Sequence, residues 1–180
     1  QGDWSSDVCS SDLKDPSVRV VVFSGRGKHF SGGIDLAALQ NILGLTAAEP
    51  GRGAEALFKL IRRFQAALSS LEELRVPVIA AIQGVCLGGG VDLACACDIR
   101  VASADARFGI EEIEIGMAAD VGTLQRLPRL MPLGIVRELA YTGRRFTAEE
   151  ARGWGFVNAV HDSPEATLAA AVDLAREIAA

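Results

Sequence analysis

The hydrophobic positions of this chain follow two periods, one typical of buried strands and the other of amphipathic helices. Continuous apolar, β-branched runs closed by Gly or Asp fit strands that are buried on both faces. Such runs occupy residues 18–25, 76–84 and 99–105, and a shorter one covers 106–110. Pro77 restricts the second run to an early or edge position for pairing, because proline has no N–H to donate to a sheet.

Apolar residues spaced three and four apart predict helices between these strands. The stripe of the longest helix, over residues 55–74, consists of Leu57, Leu60, Ile61, Phe64, Leu68 and Leu71. Further helices are predicted at residues 91–98, 122–130, 135–141 and 164–179. Another begins after Thr147, since Glu150 completes a capping box. Strands that alternate with helices across Gly-rich turns predict an α/β domain with a mainly parallel sheet.

Composition narrows the class of protein. A chain of 180 residues, 49% of them hydrophobic, suits one domain with a sizeable core. A net charge of −5 argues against a broad surface for nucleic acid or anionic membrane. No run has the length of a membrane span, and nothing resembles a secretory signal. The abundance of Ala, Gly and Arg hints at a bacterial gene, so we expect a cytoplasmic protein.

Three cysteines lie in apolar surroundings at Cys86, Cys95 and Cys97. A C-x-C pair lacks the second pair of ligands that a zinc site requires. We therefore expect reduced thiols in the core and no metal.

The first residues do not resemble part of a domain. Residues 3–13, "DWSSDVCSSDL", resemble the translation of a common sequencing adaptor, and the alternative is a disordered tail rich in Ser and Asp. Under both interpretations residues 1–13 are a tail, and the folded domain covers residues 14–180.

Two Gly-rich loops, "HFSGGID" and "GVCLGGGVD", each follow a strand. Neither matches the spacing of a P-loop or of a dinucleotide-binding turn. Glycines between a strand and a helix let a ligand approach the backbone and leave N–H groups free at the helix N-terminus. Such donors can stabilise an oxyanion. The alternative is tight packing of the helix against the strand.

The segments "FSGGIDL", "AAIQGVCLGGGVDLACACDIRVAS", "ARFGIEEIEIGMAADVGTLQRLPR" and "GRRFTAEEARGWGFVNAV" resemble the crotonase (enoyl-CoA hydratase/isomerase) superfamily. The resemblance covers nearly everything from Lys14 onward. It implies a superhelix of ββα turns, an acyl-CoA thioester as substrate, and no cofactor beyond the coenzyme A of that substrate. It also implies an enolate oxygen held by the N–H groups of Ile34 and Gly89. The full-length protein is expected to be a homotrimer or hexamer, and this chain a part of it that is truncated at both ends.

Three carboxylates place the sequence within that superfamily. Hydratases of the superfamily use two glutamates; Glu112 matches one of them, whereas Asp92 stands at the other position. The segment "AADVG" adds Asp120. Together these residues resemble the branch of Δ3,5-Δ2,4-dienoyl-CoA isomerases of fatty-acid β-oxidation. The resemblance implies catalytic roles for all three residues, with Asp120 facing the acyl pocket.

The implied chemistry explains the need for two acids. Conversion of a 3,5-diene to a 2,4-diene removes a proton at C2 and adds one at C6, and one carboxyl cannot easily serve both carbons. By analogy with hydratases, Glu112 is expected to be the base and Asp120 the acid, although the reverse assignment is open. Asp92 is expected to orient or tune the site. An enoyl-CoA hydratase, another crotonase chemistry and an inactive fragment are the alternatives.

Structural roles compete with these assignments. Asp120 could cap the helix that follows it, and Asp92 could be a charge in the first turn of its helix. Glu111 and Glu114 are expected to be paired or solvated, and His29 to be a loop residue rather than a base. Three further expectations are structural: a pair between Asp98 and Arg100, and core positions for Trp154 and Phe156.

Overall fold

The computed structural model describes residues 15–35 and 49–180, together with the isolated positions 40 and 44. The expected tail at residues 1–13 therefore lies outside the described residues.

Within residues 15–35 and 49–180, seven strands form two sheets. The strands are β1 (Val21–Ser24), β2 (Val78–Ile82), β3 (Val85–Leu87), β4 (Ile99–Ser103), β5 (Arg107–Gly109), β6 (Phe146–Thr147) and β7 (Ala159–His161). The larger sheet has the order β1-β2-β4-β7 and is parallel throughout. The smaller sheet has the order β3-β5-β6, in which only the β5–β6 pair is antiparallel. The prediction of a mainly parallel α/β domain is confirmed.

From residue 49 onward, the described part of the chain has six α-helices around these sheets: α1 (Pro50–Glu72), α2 (Gly89–Ala96), α3 (Thr123–Arg126), α4 (Leu133–Thr142), α5 (Ala148–Gly153) and α6 (Pro164–Ala179). Two 3₁₀ turns lie at Glu112–Ile115 and Leu127–Arg129. The α1 helix begins earlier than predicted, since Pro50 suits its first turn. The helix predicted at 122–130 divides into α3 and a 3₁₀ turn. The capping box of Thr147 and Glu150 is present as predicted.

The β2 strand, whose sequence is VIAAI, is buried along its whole length and places a core on each face of the larger sheet. Val78, Ala80 and Ile82 belong to the larger core, which includes α2 and the smaller sheet. Ile79 and Ala81 face the opposite core with Ala171 of α6. This alternation follows from the two-residue period of a strand.

Aromatic rings fill the space beside the smaller sheet. The Phe108 ring lies 5.3 Å from that of Phe146 and 5.4 Å from that of Phe156. The Trp154 ring lies 5.6 Å from Phe146, so Trp154 and Phe156 are core aromatics as expected.

Arg100 and Asp98 do not form the expected pair of side chains. The Asp98 carboxylate accepts the N–H of Val78 at 2.8 Å, at the point where β2 begins after Pro77. The buried Arg100 guanidinium donates to backbone carbonyls, including that of Phe156 at 2.6 Å. The guanidinium also donates to carbonyls at the C-terminal end of α2 and to the Asp98 carbonyl at 3.3 Å, so the two residues pair through the backbone of Asp98 and not through its carboxylate.

Cys86, Cys95 and Cys97 are free, buried thiols, as expected. Burial raises the pKa of each, and that of Cys97 to about 12, so all three stay protonated at neutral pH. Within residues 15–35 and 49–180, no three His, Cys, Asp or Glu side chains cluster so as to hold a metal ion. None of the described helices is both long and apolar enough to cross a bilayer.

Candidate active site

The two Gly-rich loops meet at one end of the smaller sheet. Ser31 pairs with Cys86 in a short parallel bridge: the Ser31 N–H donates to Val85 at 3.1 Å, and the Leu87 N–H donates to Ser31 at 3.0 Å. This bridge brings Gly33 next to Gly89, such that a Cβ on Gly33 would lie 3.6 Å from the Gly89 nitrogen. The bridge therefore holds the two Gly-rich loops side by side.

Gly89 and Gly90 lack a side chain for different reasons. A Cβ on Gly90 would lie 2.8 Å from the Ser31 Cβ, so Gly90 is required for packing of α2 against the first loop. A Cβ on Gly89 would meet nothing closer than the Gly33 Cα at 3.9 Å, which is an ordinary contact. The packing interpretation thus accounts for Gly90, whereas the space at Gly89 is open.

The backbone around Gly89 leaves donors for a ligand. The Gly88 N–H is used, since it donates to the carbonyl of Gly109 at 2.9 Å. Gly89 begins α2, and no described residue accepts its N–H, whereas the N–H groups of Val91 and Asp92 donate to the Gly88 carbonyl. Ile34 is 39% exposed, and no described residue accepts a hydrogen bond from its N–H.

Glu112 lies in the 3₁₀ turn that follows β5, and its carboxylate lies over Gly88. A Cβ on Gly88 would be 3.2 Å from Glu112 Oε1. The other oxygen, Oε2, is buried without a hydrogen-bond partner among the described residues. Burial raises the pKa of Glu112, and the negative charges of Asp92, Asp120 and Glu111 raise it further. Glu112 is therefore a carboxyl close to the Gly88–Gly89 turn that binds a proton more tightly than an exposed glutamate.

Asp92 is fully buried in the first turn of α2. Its Oδ1 accepts both the N–H and the hydroxyl of Thr123, at 2.6 and 2.7 Å. Its Oδ2 has no partner among the described residues. Burial raises the pKa of Asp92, and the bonds from Thr123 and the charge of Arg126 oppose that effect. Asp92 thus joins the helix of the Gly turn to the segment that carries Asp120.

Asp120 is half-buried and lines a cavity of about 490 Å³ between α1 and residues 120–129. It does not cap α3: the capping position is Gly122, which offers no side chain, and Asp92 accepts the first N–H of that helix. Its carbonyl accepts the Gln65 Nε2–H at 2.7 Å. The capping alternative for Asp120 is therefore wrong, because Asp92 takes that role from another element.

The remaining polar candidates have structural partners or lie in solvent. Glu111 forms an ion pair with Arg145, and Glu114 is exposed, both as expected. His29 Nδ1 accepts the N–H of Val85 at 3.2 Å, so this ring holds the first loop against β3.

Sequence reasoning did not identify four side chains that hold the site together: Thr123, Gln65, Glu72 and Arg126. Arg126 donates two hydrogen bonds to Glu72, at 2.9 and 2.6 Å. No local pattern predicts contacts between residues 54 or 55 apart. Only the resemblance of "AADVGTLQRLP" to the crotonase superfamily marked the segment of Thr123 and Arg126 as important.

Asp92, Glu112 and Asp120 form one electrostatic group. The charge of Asp120 acts on both other carboxyls, and that of Asp92 acts on Glu112. Burial and these neighbouring charges raise the pKa values of Asp92 and Glu112, so both bind a proton more tightly than exposed carboxyls do. Next to the open N–H groups of the Gly turn, this arrangement suits proton transfer to and from a carbon acid.

Comparison with known proteins identifies the family. A model of the enoyl-CoA hydratase/isomerase family matches residues 10–180. The chain belongs to this family. The peroxisomal Δ3,5-Δ2,4-dienoyl-CoA isomerase of Arabidopsis thaliana is 47% identical over 156 residues, which are 86% of this chain and 56% of that protein. The mitochondrial dienoyl-CoA isomerase of Homo sapiens is 46% identical over 92% of this chain and 51% of its own length.

Solved structures of enoyl-CoA hydratase/isomerase family members share the fold. The enoyl-CoA hydratase of Bacillus anthracis superposes with a TM-score of 0.83 at 34% identity, over 96% of this chain and 63% of that one. The crotonase-like fold expected from the sequence is confirmed. The chain spans about half the length of the curated relatives it matches.

Proposed function

We propose that the full-length protein carrying this chain isomerises 3,5-dienoyl-CoA thioesters to 2,4-dienoyl-CoA in fatty-acid β-oxidation. The observation that carries the proposal is the set of three interacting carboxyls, Asp92, Glu112 and Asp120, one of which lies at the Gly turn. Glu112 lies over Gly88, and the charges of both Glu112 and Asp120 interact with that of Asp92. The similarity to two dienoyl-CoA isomerases over most of this chain supports the same reaction.

The thioester end of the substrate binds at the Gly turn in this proposal. The N–H groups of Ile34 and Gly89 hold the thioester oxygen, on which negative charge develops when the C2–H bond breaks. The open space at Gly89 supports this role, because packing alone would accept an alanine there. The α2 helix adds the positive end of its dipole at the same point.

Glu112 removes the C2 proton in this proposal, since its Oε1 lies against Gly88. The electrons of the C2–H bond move into a dienolate that extends from the thioester oxygen to C6. Asp120 then donates a proton to C6, and the electrons return as the C2=C3 and C4=C5 bonds. Glu112 has gained one proton and Asp120 has lost one, so a transfer between these coupled carboxyls restores the starting state.

Asp92 acts as a positioning residue in this scheme. It fixes α2, and with it the Gly89 N–H, against Thr123 in the segment that carries Asp120. Coenzyme A belongs to the substrate, so the scheme requires no separate cofactor.

Hydration of an enoyl-CoA is the second candidate. It is favoured by the crotonyl-CoA hydratase of Syntrophomonas wolfei, which is 38% identical over 86% of this chain and 56% of its own length. Hydratase chemistry requires a water molecule near C3 rather than an acid near C6. The presence of Asp92 in place of a second glutamate and the addition of Asp120 argue for the isomerase.

The test is direct turnover by the full-length protein. We expect 3,5-dienoyl-CoA to be converted to product with the ultraviolet absorbance of a conjugated 2,4-dienoyl thioester, and crotonyl-CoA to be hydrated far more slowly. Faster hydration of crotonyl-CoA than isomerisation of the diene would favour the second candidate. Assembly into a homotrimer or hexamer stays a prediction, which sedimentation equilibrium of the full-length protein would test. A bacterial cytoplasmic location also stays a prediction, which cell fractionation would test.

A further inference from the structure

The α1 helix contacts the segment of Asp120 through polar side chains. The Gln65 amide donates to the backbone carbonyl of Asp120 itself at 2.7 Å. About two helical turns further on, Glu72 accepts two hydrogen bonds from Arg126, which is 9% exposed. We call Gln65, Glu72 and Arg126 the α1 anchor. It holds the two ends of the segment from Asp120 to α3.

Arg126 also packs against the backbone of that segment. A Cβ on Gly122 would lie 1.7 Å from Arg126 Nη1, so the guanidinium occupies the space that any side chain there would need. Gly122 has a φ of 142°, a conformation that side chains rarely adopt. Ser69 of α1 accepts a further hydrogen bond from Arg126 at 3.2 Å. The turn that follows Asp120 is therefore shaped around the guanidinium.

The apolar contacts of α1 do not account for this arrangement. The only apolar side chain of α1 that is fully buried is Leu71, which packs with Leu68 against Leu93 and Ala96 of α2. The upper part of the stripe, Leu57, Leu60, Ile61 and Phe64, is only half-buried. A partly buried ion pair contributes little net stability, and in some proteins such a pair serves to fix geometry. Hydrogen bonds of Gln65, Ser69 and Glu72 join α1 to residues 120–126.

We infer that the α1 anchor positions Asp120 for its proton transfer, so that Gln65, Glu72 and Arg126 act as positioning residues of the reaction. Asp120 is half-buried at a cavity wall, and Gln65 is the contact that fixes its backbone from the α1 side. Glu112 receives no hydrogen bond from the anchor. Loss of the anchor should consequently affect protonation at C6 and spare proton removal at C2. The kinetic part of this inference rests on the proposed function.

The experiment compares Gln65→Met and Glu72→Gln in the full-length protein with Glu73→Gln as the matched control. Glu73 is exposed, and none of the described residues forms an ion pair with it. Displacement of a reacting group by about 1 Å can cost about 100-fold. We therefore expect kcat for isomerisation to fall by about 10- to 100-fold in both anchor variants, with KM and C2 exchange in D₂O within about 2-fold of wild type. Glu73→Gln should keep wild-type values.

Two outcomes would overturn the inference: wild-type kcat in both anchor variants, or an equal loss of C2 exchange and isomerisation. The second outcome would mean that α1 supports the whole site rather than Asp120.

Amide hydrogen exchange of residues 118–124 provides a readout that does not depend on activity. We expect faster exchange in Gln65→Met and Glu72→Gln than in Glu73→Gln, at unchanged Tm. Should the wild-type protein fail to isomerise the diene, the proposed function is wrong, and this exchange alone decides whether the anchor orders the segment. Unchanged exchange in both anchor variants would then reject the anchor.

Discussion

The two sides of the candidate site are held by different kinds of contact. On the side of the Gly turn, backbone hydrogen bonds set the geometry: Ser31 pairs with the strand of Cys86, and the Gly88 N–H donates to Gly109. On the side of the carboxyls, side chains set it, through Asp92 with Thr123 and through Gln65 with the carbonyl of Asp120.

Different kinds of substitution should therefore disrupt the two sides. A site made of backbone N–H groups tolerates most exchanges of neighbouring side chains, but a Cβ in the wrong place blocks it. A site made of buried carboxyls is sensitive to changes that keep shape and alter only a charge or a donor. In the full-length protein, a blocked N–H donor should therefore cost more activity than a changed carboxyl.

Gly89→Val should reduce kcat/KM by about 1000-fold or more, because it fills the space where the thioester oxygen meets its donor. Its Tm should stay near that of wild type, since the space at Gly89 is open. Gly90→Ala is the contrasting variant: its Cβ would collide with Ser31, so its Tm should fall. Wild-type kcat/KM in Gly89→Val would remove Gly89 from the oxyanion site.

Glu112→Gln should slow exchange of the C2 proton by about 100-fold or more, the usual loss when a general base is removed. Glu111→Gln is the matched control, since Glu111 is bound to Arg145 on the surface. Proton NMR of a substrate analogue in D₂O measures the exchange. Normal exchange in Glu112→Gln would transfer the role of base to Asp120.

Thr123→Val removes one donor from the buried Asp92 and leaves the backbone N–H bond in place. We expect a loss of about 1–3 kcal/mol in the free energy of unfolding, because a buried carboxylate loses a hydrogen bond. Thr142→Val, at an exposed position of α4, should cost less than about 0.5 kcal/mol. Urea denaturation measures the free energy of unfolding of both variants. Equal losses would mean that the hydrogen bond from the Thr123 hydroxyl to Asp92 contributes no more than that of an exposed threonine.

The smallest effect concerns pH. Since burial raises the pKa of Glu112 above its ordinary 4.5, the folded protein binds this proton more tightly than the unfolded chain does. The stability that this proton contributes is present at low pH and is lost as pH rises through the raised pKa. Glu112→Gln should therefore gain stability relative to wild type between pH 4 and pH 7. An identical difference at both pH values would contradict a raised pKa.

Local patterns in the sequence predict much of the fold and little of what holds the site. The last helix was predicted at residues 164–179 and lies at Pro164–Ala179, because Ser163 and Pro164 give a strong start signal and the apolar period continues to the end. The capping box at Thr147 is equally local. By contrast, β3 and β6 have three and two residues, too few for a period to stand out.

The site divides in the same way. The resemblance alone named Asp92, Glu112 and Asp120 as catalytic, and these roles stay predictions. It could not reveal that Asp92, and not Asp120, accepts the first N–H of α3. Nor could it reveal the bond from Gln65 to the Asp120 carbonyl, because such contacts depend on how α1 lies against the segment in three dimensions.

Deuterium entry at C2 and at C6, measured in D₂O for the Asp120→Asn variant, separates a mechanism with two carboxyls from one with a single carboxyl. Asparagine keeps the size of the side chain and lacks the acidic proton, and no capping role is lost because Gly122 is the cap. We predict that deuterium still enters C2 at near wild-type rate, while its entry at C6 and formation of the 2,4-diene fall by about 100-fold. Full isomerase activity in Asp120→Asn would contradict the two-carboxyl mechanism.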